Sequence, residues 1–134
     1  MDHMLSRQEP LLGAGSSEKL SRSRAAVFGL GGVGGHCAEA LVRCGLGSIA
    51  LIDGDRFNIT NLNRQLFSSS ENLGLLKVRE AARRLKSISP ALEIQEYPFF
   101  YTPDSAGAID LSRFDCVLDA VDMVSAKLEL ILRA

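Results

Sequence analysis

The chain has 134 residues, 46% of them hydrophobic, with 15 Lys and Arg against 16 Asp and Glu. That composition suits one folded domain and excludes a disordered chain. Near-zero net charge excludes capture of nucleic acid or an anionic membrane by the whole surface, so any such contact must be a local patch. Cys37, Cys44 and Cys116 form no Cys-x-x-Cys pair. Neither a disulfide framework nor a zinc site is expected, and a reducing, cytoplasmic setting fits. No apolar run approaches the roughly 18 residues that span a bilayer, and no membrane partner is expected.

Residues 1–24 read as a polar amino-terminal arm with a loop signal at Gly13–Ser17, and residues 25–134 as one domain. Ala25–Phe28 is a short apolar run that predicts a buried strand ending in glycine. Val33, Cys37, Ala40, Leu41 and Cys44 recur at helical spacing, and Gly45 is placed to close that helix. Ser48–Asp53 predicts a second apolar strand and completes a βαβ unit. The polar stretch Gly54–Leu73 exceeds the usual connection of about 4–6 residues, which predicts a working loop or a short helix.

Leu75, Val78, Ala81, Ala82, Leu85 and Ile88 then mark an amphipathic helix that Pro90 ends. Its outer face is read as Lys77, Arg79, Arg83, Arg84 and Lys86 against Glu80, a solvated face that is also a candidate contact for nucleic-acid phosphates. Leu92–Tyr97 predicts a strand, Thr102–Leu111 a short helix, Phe114–Ala120 a strand and Val124–Ala134 a helix. Strands and helices in this alternation predict a Rossmann-like α/β fold, a parallel sheet with helices on both faces.

The sharpest local signal is Gly29-Leu30-Gly31-Gly32-Val33-Gly34, which satisfies G-x-G-x-x-G at Gly29, Gly31 and Gly34. It follows a predicted strand and opens a predicted helix, the context in which glycines let backbone approach phosphates at a helix's positive end. Asp53, at the end of the next strand, is placed to accept hydrogen bonds from ribose hydroxyls. Beyond it lie two cations, Arg64 and Lys77, which a triphosphate needs to offset charge on its phosphoryl oxygens. ATP therefore outranks a nicotinamide cofactor, although an NAD-dependent oxidoreductase stays as an alternative.

Gly29–Gly34, Leu51–Asp55, Asn61-Leu62-Asn63-Arg64-Gln65, Gly74-Leu75-Leu76-Lys77 and Asp119-Ala120-Val121-Asp122 occur in an order and spacing that resemble the ubiquitin-activating-enzyme superfamily. That superfamily includes the bacterial adenylyltransferases of molybdopterin and thiamine synthesis. Arg7-Gln8-Glu9-Pro10-Leu11-Leu12-Gly13 and Val124-Ser125-Ala126-Lys127 resemble the tRNA threonylcarbamoyladenosine dehydratases within it. The resemblance implies that Gly29, Gly31, Gly32 and Gly34 hold phosphates, Asp53 meets the ribose, Asp55 belongs to the nucleotide-binding set, and Asn61 and Arg64 meet the triphosphate. It further implies Lys77 on the α-phosphate side, Asp122 on Mg²⁺, and Arg7 reaching into the partner's site of a homodimer.

The activity implied is attack of a carboxylate on the α-phosphate of ATP, with threonylcarbamoyl-modified tRNA as substrate. The alternative substrate is the C-terminal glycine of a ubiquitin-like sulfur carrier. Members of the superfamily continue past the last predicted helix, so the chain is expected to be the amino-terminal, ATP-holding part of a larger fold. A nucleotide-binding fragment without turnover is a third reading. Asp119 and Asp122 are also candidate caps for the last helix. His36 and the cysteines read as packing or surface residues.

Overall fold

The computed structural model describes residues 3–134. β1 (Arg24–Phe28) lies at the centre of a four-stranded parallel sheet of order β3-β2-β1-β4, flanked by β2 (Ser48–Ile52) and β4 (Cys116–Asp119), with β3 (Glu93–Tyr97) outside β2. Its residues from Ala25 to Phe28 are at most 1% exposed, as a parallel strand covered on both faces requires. Successive side chains point to opposite faces. Ala25, Val27, Ile49 and Leu51 join one core cluster, whereas Ala26, Phe28, Ala50 and Ile52 join another with Tyr101, Ala126 and Leu130.

The first cluster is closed by α3 (Gly34–Arg43) and α4 (Lys77–Ile88). Val78, Ala81, Ala82 and Leu85 are the buried stripe of α4, as expected. The stripe of α3 follows the expectation only in part: Leu41 packs against the first cluster, but the buried residues are Gly34, Gly35, Ala38, Glu39 and Val42, while Val33, Ala40 and Cys44 are exposed. The helix packs on its glycines because they admit the closest approach. A Cβ on Gly34 would stand 1.7 Å from the Gly29 carbonyl oxygen, and one on Gly35 would press the buried Phe67 ring.

Glu39 is a charge on this inward face. Burial pushes its carboxyl up, but hydrogen bonds from Arg84 of α4 and Arg43 of its own helix prevail and hold it below its ordinary value. The interaction therefore ties α3 to α4 through a carboxylate.

The second cluster is covered by the segment after β3 and by α5 (Val124–Arg133). Where a helix over Thr102–Leu111 is expected, the chain makes two 3-10 turns, Ala106–Ala108 and Leu111–Arg113, the second capped by Asp110 through the Ser112 amide. Buried Ala106, Ile109 and Leu111 pin the segment too closely for a full helix. The amino-terminal arm is helical where only a polar loop is expected, with α1 (Glu9–Leu12) and α2 (Ser16–Arg22) joined at Gly13–Gly15. It docks at the amino ends of the strands, where the Gln8 side chain donates to the Cys44 carbonyl at 2.7 Å.

Two outcomes follow from this packing. Gly34→Ala lowers the melting temperature by roughly 5 °C or more, read by circular dichroism, because the clash is with backbone that cannot move aside. Since the Glu39 pKa is depressed in the folded state, its contribution is complete above the unfolded value of about 4.3 and fades as pH falls through the native one. Denaturant titrations at stepped pH should show Glu39→Gln less stable than wild type at neutral pH and converging with it in acid.

Candidate nucleotide-binding site

All four strands run parallel, so the loops after β1, β2, β3 and β4 gather at one end of the sheet, the edge at which open α/β sheets bind ligands. Between them lies a cleft of about 630 Å³. Gly29, Gly31, Gly32 and Val33 form one wall, and Asp53, Asp55, Asn61, Arg64, Gln65 and Lys77 another. Phe100 and Tyr101 enter after β3, and Ala120–Met123 with Ala126 close the side beyond β4.

The turn after β1 is fixed by sterics and by one acid. Gly29 has φ +90°, and a Cβ there would meet the Ala120 carbonyl oxygen at 2.5 Å, so only glycine fits. Asp53 Oδ2 accepts the Leu30 amide and its Oδ1 the Asp55 amide, both at 2.8 Å. The ribose acid expected from sequence thus already binds the glycine turn, with lone pairs remaining on both oxygens.

The polar stretch after β2 is ordered by its own side chains. Asn58 accepts the Thr60 amide and Asn61 Oδ1 accepts the Asn58 amide at 2.8 Å, making the 3-10 turn Ile59–Asn61. Asn72 donates to the Phe67 carbonyl and accepts the Ser69 amide. The segment returns to α4 through the Arg56–Leu76 bridge, with the Lys77 amide on the Asp55 carbonyl at 3.0 Å. Asn61 thus engages its side-chain oxygen inside the loop while the residue lines the cleft.

Lys77 departs from its expected place on the outer face of α4. It is only 5% exposed, with Nζ 3.3 Å from Asp55 Oδ2. In the first turn of a helix, where the dipole is already positive, this buried ammonium is offset by the Asp55 carboxylate and leaves a positive potential that favours an anion in the cleft. Arg64 lays its aliphatic stem beside Gly32 while its guanidinium donates to the Thr60 carbonyl at 2.8 Å. Both cations line the cleft with the glycine turn at the α3 amino terminus, whose N-cap Val33 supplies no side-chain cap, an arrangement whose chemistry suits an anion.

Asp122 is exposed on the cleft wall beyond β4 and makes no side-chain hydrogen bond or ion pair among the described residues. It does not cap α5, and neither does Asp119, since Met123 occupies the N-cap position. The described residues hold no group of three or more His, Cys, Asp and Glu fit to hold a metal by themselves. One free carboxylate facing a phosphate site nonetheless suits Mg²⁺, which binds through one or two carboxylates plus phosphate oxygens. Arg7 is exposed on the arm and does not line its own chain's cleft.

Sequence reasoning missed Gln65, Phe100, Tyr101, Met123 and Ala126 as lining residues. Gln65 stood inside the polar block Asn61–Gln65. Its Oε1 and the Tyr101 hydroxyl are buried without partners among the described residues, and burial pushes the Tyr101 phenol above its ordinary value.

The sequence profile of the ThiF family matches residues 5–133. This chain belongs to the ThiF family. Among ThiF-family relatives, it is 39% identical over 130 residues to the tRNA threonylcarbamoyladenosine dehydratase of Bacillus subtilis, covering 97% of this chain and 51% of that protein. It is 34% identical to the sulfur carrier protein adenylyltransferase of Thermus thermophilus, covering 84% of this chain and 41% of the relative. The ATP complex of E. coli tRNA N6-threonylcarbamoyladenosine dehydratase, TcdA, superposes with a TM-score of 0.91 at 35% identity, over 96% of this chain and 53% of that one. Its AMP complex gives 0.89 at 36% identity, over 93% and 51%. This ThiF-family chain spans 39 to 51% of the length of the three dehydratase relatives it matches, and its fold is the Rossmann-like α/β fold of TcdA.

The Asp53 bridge gives a test that needs no ligand. Asp53→Ala should lower unfolding stability by about 2–3 kcal/mol in urea, since charge-assisted hydrogen bonds to two amides are lost. Asp53→Asn keeps one acceptor and should recover about half of that.

Proposed function

We propose that this chain binds ATP as the nucleotide-holding part of an enzyme that adenylates a carboxylate, with threonylcarbamoyl-modified tRNA as its substrate. The observation that carries the reading is a buried lysine facing a glycine turn and helix amino terminus, in a chain similar to a dehydratase captured with ATP and with AMP. In this reading the turn Gly29–Gly34 and Arg64 hold the phosphates, and Lys77 neutralises charge on the α-phosphate side. Asp53 keeps the glycine turn in place while its free lone pairs accept ribose hydroxyls. Asp122 holds Mg²⁺, which when bound offsets phosphate charge.

A carboxylate oxygen of the substrate attacks the α-phosphorus, the bond to the bridging oxygen of pyrophosphate breaks, and pyrophosphate leaves with that electron pair. An internal nucleophile of the threonylcarbamoyl group then displaces AMP and closes the ring. The active assembly is a homodimer in which Arg7, remote from its own cleft, serves the partner's site. A sulfur-carrier substrate is the second reading, favoured by the identity to the Thermus thermophilus adenylyltransferase.

Calorimetry on the chain should show ATP binding, and Lys77→Met should weaken it by about 10- to 100-fold, as loss of a charged hydrogen-bond partner does. Tight NAD binding without ATP binding would refute the reading. Pyrophosphate release stimulated by threonylcarbamoyl-modified tRNA supports the dehydratase, whereas stimulation only by a carrier with a di-glycine tail selects the second reading.

A further inference from the structure

One whole wall of the cleft, Ala120 to Met123 with Ala126, comes from the turn between β4 and the first residues of α5. Its local anchorage is slight. Met123 at the N-cap offers no side-chain acceptor to the free amides of α5, where Ser, Thr, Asp or Asn ordinarily would. Only Ala126 and Leu130 of that helix are buried.

The two residues that bracket the wall are bonded to each other. Lys127 Nζ lies 3.1 and 3.2 Å from the two carboxylate oxygens of Asp119. Asp119 ends β4 in register with Phe28, and its Oδ1 also accepts the Val121 amide at 3.2 Å, which starts the turn. The Lys127 amide bonds the Met123 carbonyl at 3.1 Å, so the same residue is fixed to the helix's first turn. One carboxylate therefore holds the turn at its beginning and the helix one turn on.

We infer that Asp119 and Lys127 are positioning residues of the nucleotide site, setting where Asp122 stands relative to the glycine turn. Neither side chain lines the cleft, so both act through the wall they bracket. The inference rests on the ATP and Mg²⁺ reading above and adds to it the part that aims the metal-side carboxylate. The side chains of Lys127 and Asp119 are 41% and 31% exposed. Such a pair adds little to folding stability, whereas residues supporting a metal ligand typically change affinity by about 10- to 100-fold.

The test is ATP affinity of the 134-residue chain, measured by titration calorimetry in excess Mg²⁺ and in EDTA. The proteins are wild type, Lys127→Met, Asp119→Asn, the double variant and Lys127→Arg. Each of Lys127→Met and Asp119→Asn should weaken binding about tenfold with Mg²⁺ and much less in EDTA. The double variant should be no worse than either single one. Lys127→Arg should bind like wild type, because a guanidinium keeps the two-pronged pairing. Melting temperatures should stay within about 3 °C of wild type.

Wild-type affinity in Lys127→Met, additive losses in the double variant, or equal losses with and without Mg²⁺ would each overturn the inference while leaving ATP binding intact. If the wild-type chain binds no ATP, the functional reading falls and the inference falls with it.

Discussion

The Asp53 carboxylate accepts the Leu30 amide with one oxygen and the Asp55 amide with the other, and this pair of hydrogen bonds holds the β1 turn to the β2 turn. From Asp55 the connection continues: its carbonyl takes the Lys77 amide and its carboxylate takes the Lys77 ammonium. The glycine turn, the ordered loop and the start of α4 are thus fixed in series from one acid at a strand end. A residue whose type suggests a ligand contact is also the frame of the site, which is why fold and function are hard to separate here.

Much of this arrangement was written in local pattern. The strands Ala25–Phe28 and Ser48–Ile52 follow from apolar runs, and the glycine turn follows from spacing, because each depends on residues adjacent in sequence. What local pattern does not encode is which face a helix buries when something other than apolarity decides it. α3 turns its glycines inward because backbone must approach backbone, and so Ala40 and the N-cap Val33 are exposed. Lys77 was misplaced for a related reason. Helical periodicity assigns a first-turn residue to a face, but the loop packed before it decides whether that face is open.

The same limit applies to charge. In sequence, α4 looks like a basic face, but in space Arg79 meets Glu96, Arg83 meets Glu80 and Arg84 meets Glu39. The partners come from α3, from β3 and from α4's own inward side, so they offset part of the patch, while Lys86 meets only the Pro90 carbonyl and Glu39 is shared with Arg43. Lys77 at the cleft is paired in the same way with Asp55, whereas Arg64 makes no ion pair among the described residues.

β1 is flanked by near and by distant chain. It pairs with β2 across a single helix, but its other side waits for β4, and the Arg24 amide reaches Asp115 across 91 residues. Closing the larger loop costs more entropy and yields later contacts during folding. The βαβ unit with its glycine turn can therefore form early, whereas the Ala120 carbonyl that presses on Gly29 arrives only when β4 docks. Under the proposed function, a nucleotide held by both walls would sense the docking of β4, so its binding would report the assembled sheet rather than the βαβ unit alone.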